Sequence, residues 1–90
     1  MIYNSQNTIN IATLFSLEKY HILYRFNNGY GASVIGYHNS EDIELSVIYF
    51  VGEDIFDHVI TTDTFITTES LMRIKTDDFV NKMIQIENLI

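Results

Sequence analysis

Asn28-Gly29 stands between two eight-residue runs rich in β-forming side chains, 20–27 and 30–37. The dipeptide suits the positive φ angles of a type I′ turn and is the strongest short signal for a β-hairpin. The segment from His21 to Tyr37 is therefore expected to be a two-stranded hairpin. A two-residue loop sets Asn27 opposite Tyr30. On one face, the same register pairs Phe26 with Gly31, Tyr24 with Ser33 and Ile22 with Ile35. On the other it pairs Arg25 with Ala32 and Leu23 with Val34. Phe26 would then cover the open backbone of Gly31.

Further strands follow. His38 to Asp42 is a polar turn. Ile43 to Val51 alternates, with Ile43, Leu45, Val47 and Tyr49 on one side and Glu44, Ser46, Ile48 and Phe50 on the other. Its later half is apolar on both sides, as in a strand covered on both faces. Gly52-Glu53-Asp54 is a turn, and Ile55 to Thr61 is expected to be a fourth strand. Thr62 to Thr68 is a connector, and one or two helical turns are expected over 68–74. Thr76 suits an N-cap, with Asp77 and Asp78 in the first turn of a final helix. Phe79, Val80, Met83, Ile86 and Ile90 form its apolar stripe. Near the start, Ile11, Leu14 and Phe15 have i, i+3, i+4 spacing, which predicts a short helix near 9–18. The expected architecture is a single α+β domain over residues 1–90. It is an antiparallel β-meander of three to four strands with a C-terminal helix packed on one face.

Composition narrows the function classes. The chain has 90 residues, no Cys and no Pro, so disulfides and thiolate zinc sites are excluded. Six Tyr and six Phe give a heavy aromatic load for so small a core. No apolar run approaches the ~18 residues of a membrane span, and Met1 to Ser5 lacks the pattern of a secretory leader.

The net charge of −7 is unevenly placed. Lys19 and Arg25 against Glu18 leave residues 1–40 at +1. Ten acids against Arg73 and Lys75 put residues 41–78 at −8, and Lys82 and Glu87 cancel in the last twelve residues. Such a field repels phosphate backbones and favours a basic protein partner.

Catalytic and metal motifs are weak. His38 with Glu41 and Asp42, or His58 with Asp54 and Asp57, can be drawn as metal or acid–base sets, but neither has a metal-motif spacing. Gly52-Glu53-Asp54 with Asp57 lacks the EF-hand pattern. These residues are expected to be solvated turn groups. Ser33 and Ser46 fall mid-strand, where no nucleophile elbow forms. Gly29-Tyr30-Gly31 lacks the Lys and the following helix of a phosphate-binding loop. The Tyr20, Tyr24, Tyr30, Tyr37 and Tyr49 set would need a positive groove to stack single-stranded nucleic acid. The expectation is a non-catalytic protein without metal or cofactor.

Phe26-Asn27-Asn28-Gly29-Tyr30-Gly31-Ala32-Ser33-Val34-Ile35 is followed by Glu44-Leu45-Ser46-Val47, by Phe65-Ile66-Thr67, and by a helix ending Ile84 to Leu89. Together these resemble small bacteriophage accessory proteins that carry an NGYGASV-type hairpin, an ELAV-like strand, an IT element and a C-terminal helix. The resemblance spans about residues 21–89, leaves 1–18 as an extension, and brings no site residues with it. It implies a phage-encoded protein acting in the host bacterial cytoplasm.

By analogy of class, small acidic phage proteins suggest inhibitors of host restriction or CRISPR nucleases, with carboxylates imitating nucleic-acid phosphates. The expected contact set is Glu41, Asp42, Glu44, Glu53, Asp54 and Asp57, with Tyr30 and Tyr37 as anchors. Two other expectations stand beside it. One is a structural or regulatory homodimer joined through a sheet face bearing Ile22, Tyr24 and Ile35. The other is a small-molecule-binding protein, which requires a deep apolar pocket with converging His side chains.

Overall fold

In a computed structural model, residues 3–90 are described; Met1 and Ile2, part of the segment inspected for a leader, lie outside them. The strands are β1 (Thr8–Phe15), β2 (Lys19–Phe26), β3 (Tyr30–Tyr37), β4 (Asp42–Phe50), β5 (His58–Ile60) and β6 (Met72–Lys75), and α1 (Thr76–Glu87) follows. The sheet runs β1-β2-β3-β4-β5, and every neighbouring pair is antiparallel. β6 shares the outer side of β4 with β5, pairing with Asp42 to Leu45 while β5 pairs with Ile48 to Phe50. The fold is thus the expected α+β meander with a C-terminal helix, but with six strands.

The hairpin is present and its register differs by one. Arg25 pairs with Gly31, Tyr24 with Ala32, Leu23 with Ser33 and Ile22 with Val34. The loop holds three residues, Asn27, Asn28 and Gly29. Gly29 N–H donates to the Phe26 carbonyl at 3.3 Å, and φ is positive at Gly29 (88°) and at no non-glycine among the described residues. This is a type I turn closed by a left-handed glycine, the usual three-residue hairpin. The slip moves side chains between faces. Ile22 and Tyr24 share the helix-covered face with Ala32 and Val34, while Ile35 points to the opposite face. A dimer face combining Ile22, Tyr24 and Ile35 is therefore not formed. Gly31 lies under Phe50, not Phe26, and Tyr20 lies over Gly36.

Other differences have local causes. The segment expected to be helical, 9–18, is mostly the edge strand β1, since pairing with β2 satisfies its backbone along one side. The strand expected over Ile55–Thr61 shrinks to His58–Ile60. The expected helical turns over 68–74 give way to β6, which completes the outer ladder of β4. Thr76 is the first helical residue, Lys75 takes the N-cap position, and no side chain caps it. Asp77 and Asp78 do occupy the first turn.

Two layers of core result. Between sheet and helix lie Ile22, Tyr24, Phe26, Val34, Ile43, Leu45 and Val47 against Phe79, Met83 and Ile86, all buried. Tyr3 closes this layer, with ring centroids 6.5 Å from Tyr24, 6.1 Å from Phe26 and 6.3 Å from Phe79. The N-terminal segment before β1 is thus part of the core. On the second face Leu23, Ile48, Phe50 and Ile55 form a smaller cluster. The loop 51–57 folds beneath it, and Arg25 donates to the Gly52 and Glu53 carbonyls at 2.9 and 2.8 Å. The guanidinium also lies 4.6 Å from the Phe50 ring centroid.

Asn28 has a second role. Its side-chain amide donates to the Ile86 and Leu89 carbonyls at 3.0 and 2.9 Å, while its oxygen accepts the Tyr30 N–H at 3.0 Å. The turn thereby adds a donor to the Ile86 carbonyl, which also accepts the Leu89 N–H at 3.2 Å, and supplies one to the Leu89 carbonyl just beyond the helix. No basic residue sits in the last helical turn. Asn28→Asp is expected to cost about 2–4 kcal/mol, because it removes two donors and aims a carboxylate at the negative helix end. Urea unfolding monitored by circular dichroism checks this, with Asn27→Asp as the near-neutral comparison.

Candidate functional site

β4 decides where the acids lie. Its nine residues span about 27 Å at ~3.4 Å per residue. Glu41, Asp42 and Glu44 lie at its start; Glu53, Asp54 and Asp57 follow its end. The six acids therefore form two groups rather than one surface.

The first group is partly neutralised. Lys75 Nζ is 2.8 Å from Asp42 Oδ1, which draws the carboxyl below and the ammonium above their ordinary values. Glu44 lies opposite Arg73 in the β4–β6 ladder and accepts the Tyr37 hydroxyl at 3.0 Å. That bond raises the Tyr37 phenol. Tyr37 and Glu44 are thus brought together, and Tyr30 lies at the far end of β3.

The second group is more open and better braced. Val51 N–H donates to the Asp57 carbonyl and Asp57 N–H to the Asp54 carbonyl, both at 2.9 Å. Asp54 Oδ1 accepts the Phe56 N–H at 2.8 Å. With Arg25 holding the Gly52 and Glu53 carbonyls inward, the side chains of Glu53, Asp54 and Asp57 are left exposed. Tyr30 stands at this same end of the sheet, on the helix face, with its ring 5.1 Å from that of Tyr49.

Two shallow depressions meet at Tyr30 and Asp63. One, of about 530 Å³, is lined by Tyr30, Asp63, Thr64, Phe65, Asn88, Leu89 and Ile90. The other, of about 500 Å³, is lined by Tyr30, Tyr49, Val59 to Thr62 and Asp63. Phe65 is 80% exposed and Tyr49 43%. The two depressions combine aromatic and apolar surface with one carboxylate, Asp63, a composition suited to protein contact, while Glu53, Asp54 and Asp57 sit at the same end on the loop beneath the opposite face. Tyr49 and Asp63 escaped sequence reasoning. Tyr49 shares its parity with buried Leu45 and Val47 but lies beyond the helix cover. Asp63 sits in a Thr-rich connector that only the fold brings against Tyr30.

His38 Nε2 donates to the Ser16 carbonyl at 3.3 Å, and His58 Nδ1 to the Ile55 carbonyl at 3.0 Å beside the Phe50 ring. Among the described residues no three His, Asp or Glu side chains gather as a metal-holding group.

His21 Nε2 and Ser33 Oγ share a hydrogen bond at 2.6 Å, a pair that sequence spacing did not show. Burial, then Lys19 and His58, push the His21 pKa below its ordinary 6.5. The pair links β2 to β3.

Its linkage has a definite sign. The folded pKa lies below the unfolded one, so this stabilisation is complete above about pH 6.5 and is lost as pH falls through the folded value. Thermal melts between pH 7.5 and 5 should show a falling midpoint, and His21→Asn should flatten that fall.

No family model, curated protein or solved structure matches this chain. Among the described residues no helix is long and apolar enough to cross a membrane.

Proposed function

We propose that this chain is an acidic, non-catalytic binding protein that inhibits or modulates a host protein with a basic surface. The favoured target is a nucleic-acid-binding defence nuclease of restriction or CRISPR type in the bacterial cytoplasm. The observation that carries the reading is the uncompensated charge. Twelve acids face five Lys and Arg, and the described residues hold a single ion pair, Lys75–Asp42. Carboxylates held on a braced loop raise the on-rate to a basic groove and repel nucleic acid itself.

The geometry favours one end of the molecule for the contact. Glu53, Asp54, Asp57 and Asp63 would supply charge there, with Tyr30, Tyr49 and Phe65 as apolar anchors. Glu41, Asp42 and Glu44 drop to a secondary role because Lys75, Arg73 and Tyr37 surround them. Competition with nucleic acid for the same groove accounts for inhibition without chemistry. The phage-like hairpin supports the cellular setting.

The test is DNA cleavage by purified restriction and CRISPR nucleases with the protein in excess. Cleavage by at least one of them should fall, and preloading that nuclease with its nucleic acid should slow the inhibition. Undiminished cleavage by every nuclease of both types counts against the favoured target.

A further inference from the structure

Among the described residues β1 is an unpaired edge of unusual composition. Its eight residues carry no charge and no Pro, and the neutral stretch extends over residues 1–17. Its side chains are open, with Ile9 59%, Leu14 49% and Phe15 75% exposed, and Leu17 in the adjoining turn is 99% exposed. Edge strands ordinarily carry a Lys, a Pro or a covering loop to block further pairing. The bulge between Thr8 and Asn10 interrupts this edge only at its beginning.

We infer that β1 pairs antiparallel with β1 of a second copy, joining two sheets across a two-fold axis. Charge selects this occupant. A chain of net charge −7 repels its own copies, yet the repulsion depends on where the acids meet. β1 is three strands away from β4, where the acidic half of the chain begins. In the joined sheet the two β4 strands are seven strand spacings apart, about 34 Å at ~4.8 Å each. That is several times the ~8 Å screening length at physiological salt. The strand itself brings no charge to the contact, and each copy offers the other an uncharged strand; the charges nearest its ends are Glu87, which accepts the Ser5 hydroxyl, and Glu18 beside Lys19.

The symmetry is self-consistent. A two-fold axis normal to the sheet keeps both helices on one side and matches each face of β1 with its like. Eight residues a side is well below the ~20–30 of a standard interface, so a dissociation constant near micromolar is expected. This inference is independent of the proposed target, since β1 lies on the opposite edge from β5.

Sedimentation velocity from about 0.05 μM to about 100 μM, bracketing that constant, tests it. The wild-type mass should rise from 10.5 kDa towards twice that value. Asn10→Lys with Thr13→Lys, both exposed edge positions, should stay monomeric with an unchanged melting midpoint. Val80→Lys with Ile84→Lys, the same charge change on exposed helix positions, should still dimerise. In the wild-type chain, amides of residues 8–15 should gain exchange protection as concentration rises. A monomeric wild type overturns the inference even if a foreign strand pairs there. So does a dimer that survives the edge substitutions, or one whose β1 amides show no concentration-dependent protection.

Discussion

Phe79→Ala should remove about 3–5 kcal/mol of domain stability, the usual cost of truncating a fully buried aromatic. Phe79 is 1% exposed and is the bulkiest helix side chain in the core. Its ring stands edge-on to Tyr3 at 6.3 Å and tilted to Tyr24 at the same distance, so its loss opens a cavity walled by two rigid rings. A domain of this length has about 5–13 kcal/mol in total, so the variant should lie close to unfolding. Urea titration gives the loss directly. Val80→Ala, one position along and half exposed, should shift the midpoint little.

Gly31→Ala should cost about 3 kcal/mol or more, at the upper end of overpacking effects. A Cβ there would sit 1.9 Å from the Tyr24 carbonyl oxygen and 2.7 Å from the Phe50 ring. One neighbour is backbone and the other a ring clasped by Arg25, so neither yields cheaply, and β2 and β3 must separate. Gly29→Ala should cost less, about 1–2 kcal/mol for a left-handed residue, since its Cβ would meet only the Tyr49 ring at 3.3 Å. The order of the two costs in one melting series tests the register. With Phe26 opposite Gly31, as a two-residue turn requires, Gly29 would be the more sensitive position.

That contrast shows where sequence reasoning ends. The hairpin, β4 and the C-terminal helix are legible because each carries a local signal: Asn28-Gly29, period-two alternation, and an apolar stripe behind Asp77 and Asp78. The register is not, because Asn28-Gly29 fits both a two-residue turn and the last two places of a three-residue turn. Long-range features favour the second: burial of Ala32 and Val34 beside Tyr24 and Ile22 under α1, and the bonds from Asn28 to the helix end. β1 is ambiguous for a similar reason. Ile11, Leu14 and Phe15 satisfy either period, and an edge strand takes its structure from its neighbour. β6 is four residues long and exists through β4.

The candidate site follows the same division. Sequence picks out the acidic segment and Tyr30, but proximity along the chain misleads across an extended strand. The acids at 41–44 and 53–57 are one patch in the sequence and two in space. Asp63 and Tyr49, remote in the chain, join Tyr30 at one end. The electrostatic case therefore rests on fewer acids than a simple charge count suggests, and on a specific four.

Binding of the identified nuclease to the immobilised protein, measured across a salt series, tests the account most directly. Wild type should bind more weakly as salt rises. Glu53→Lys, Asp54→Lys, Asp57→Lys and Asp63→Lys combined should abolish binding while leaving the melting midpoint near that of wild type. The matched reversal at Glu41, Asp42 and Glu44 should weaken binding far less. Undiminished, salt-independent binding by the four-site variant would contradict the account.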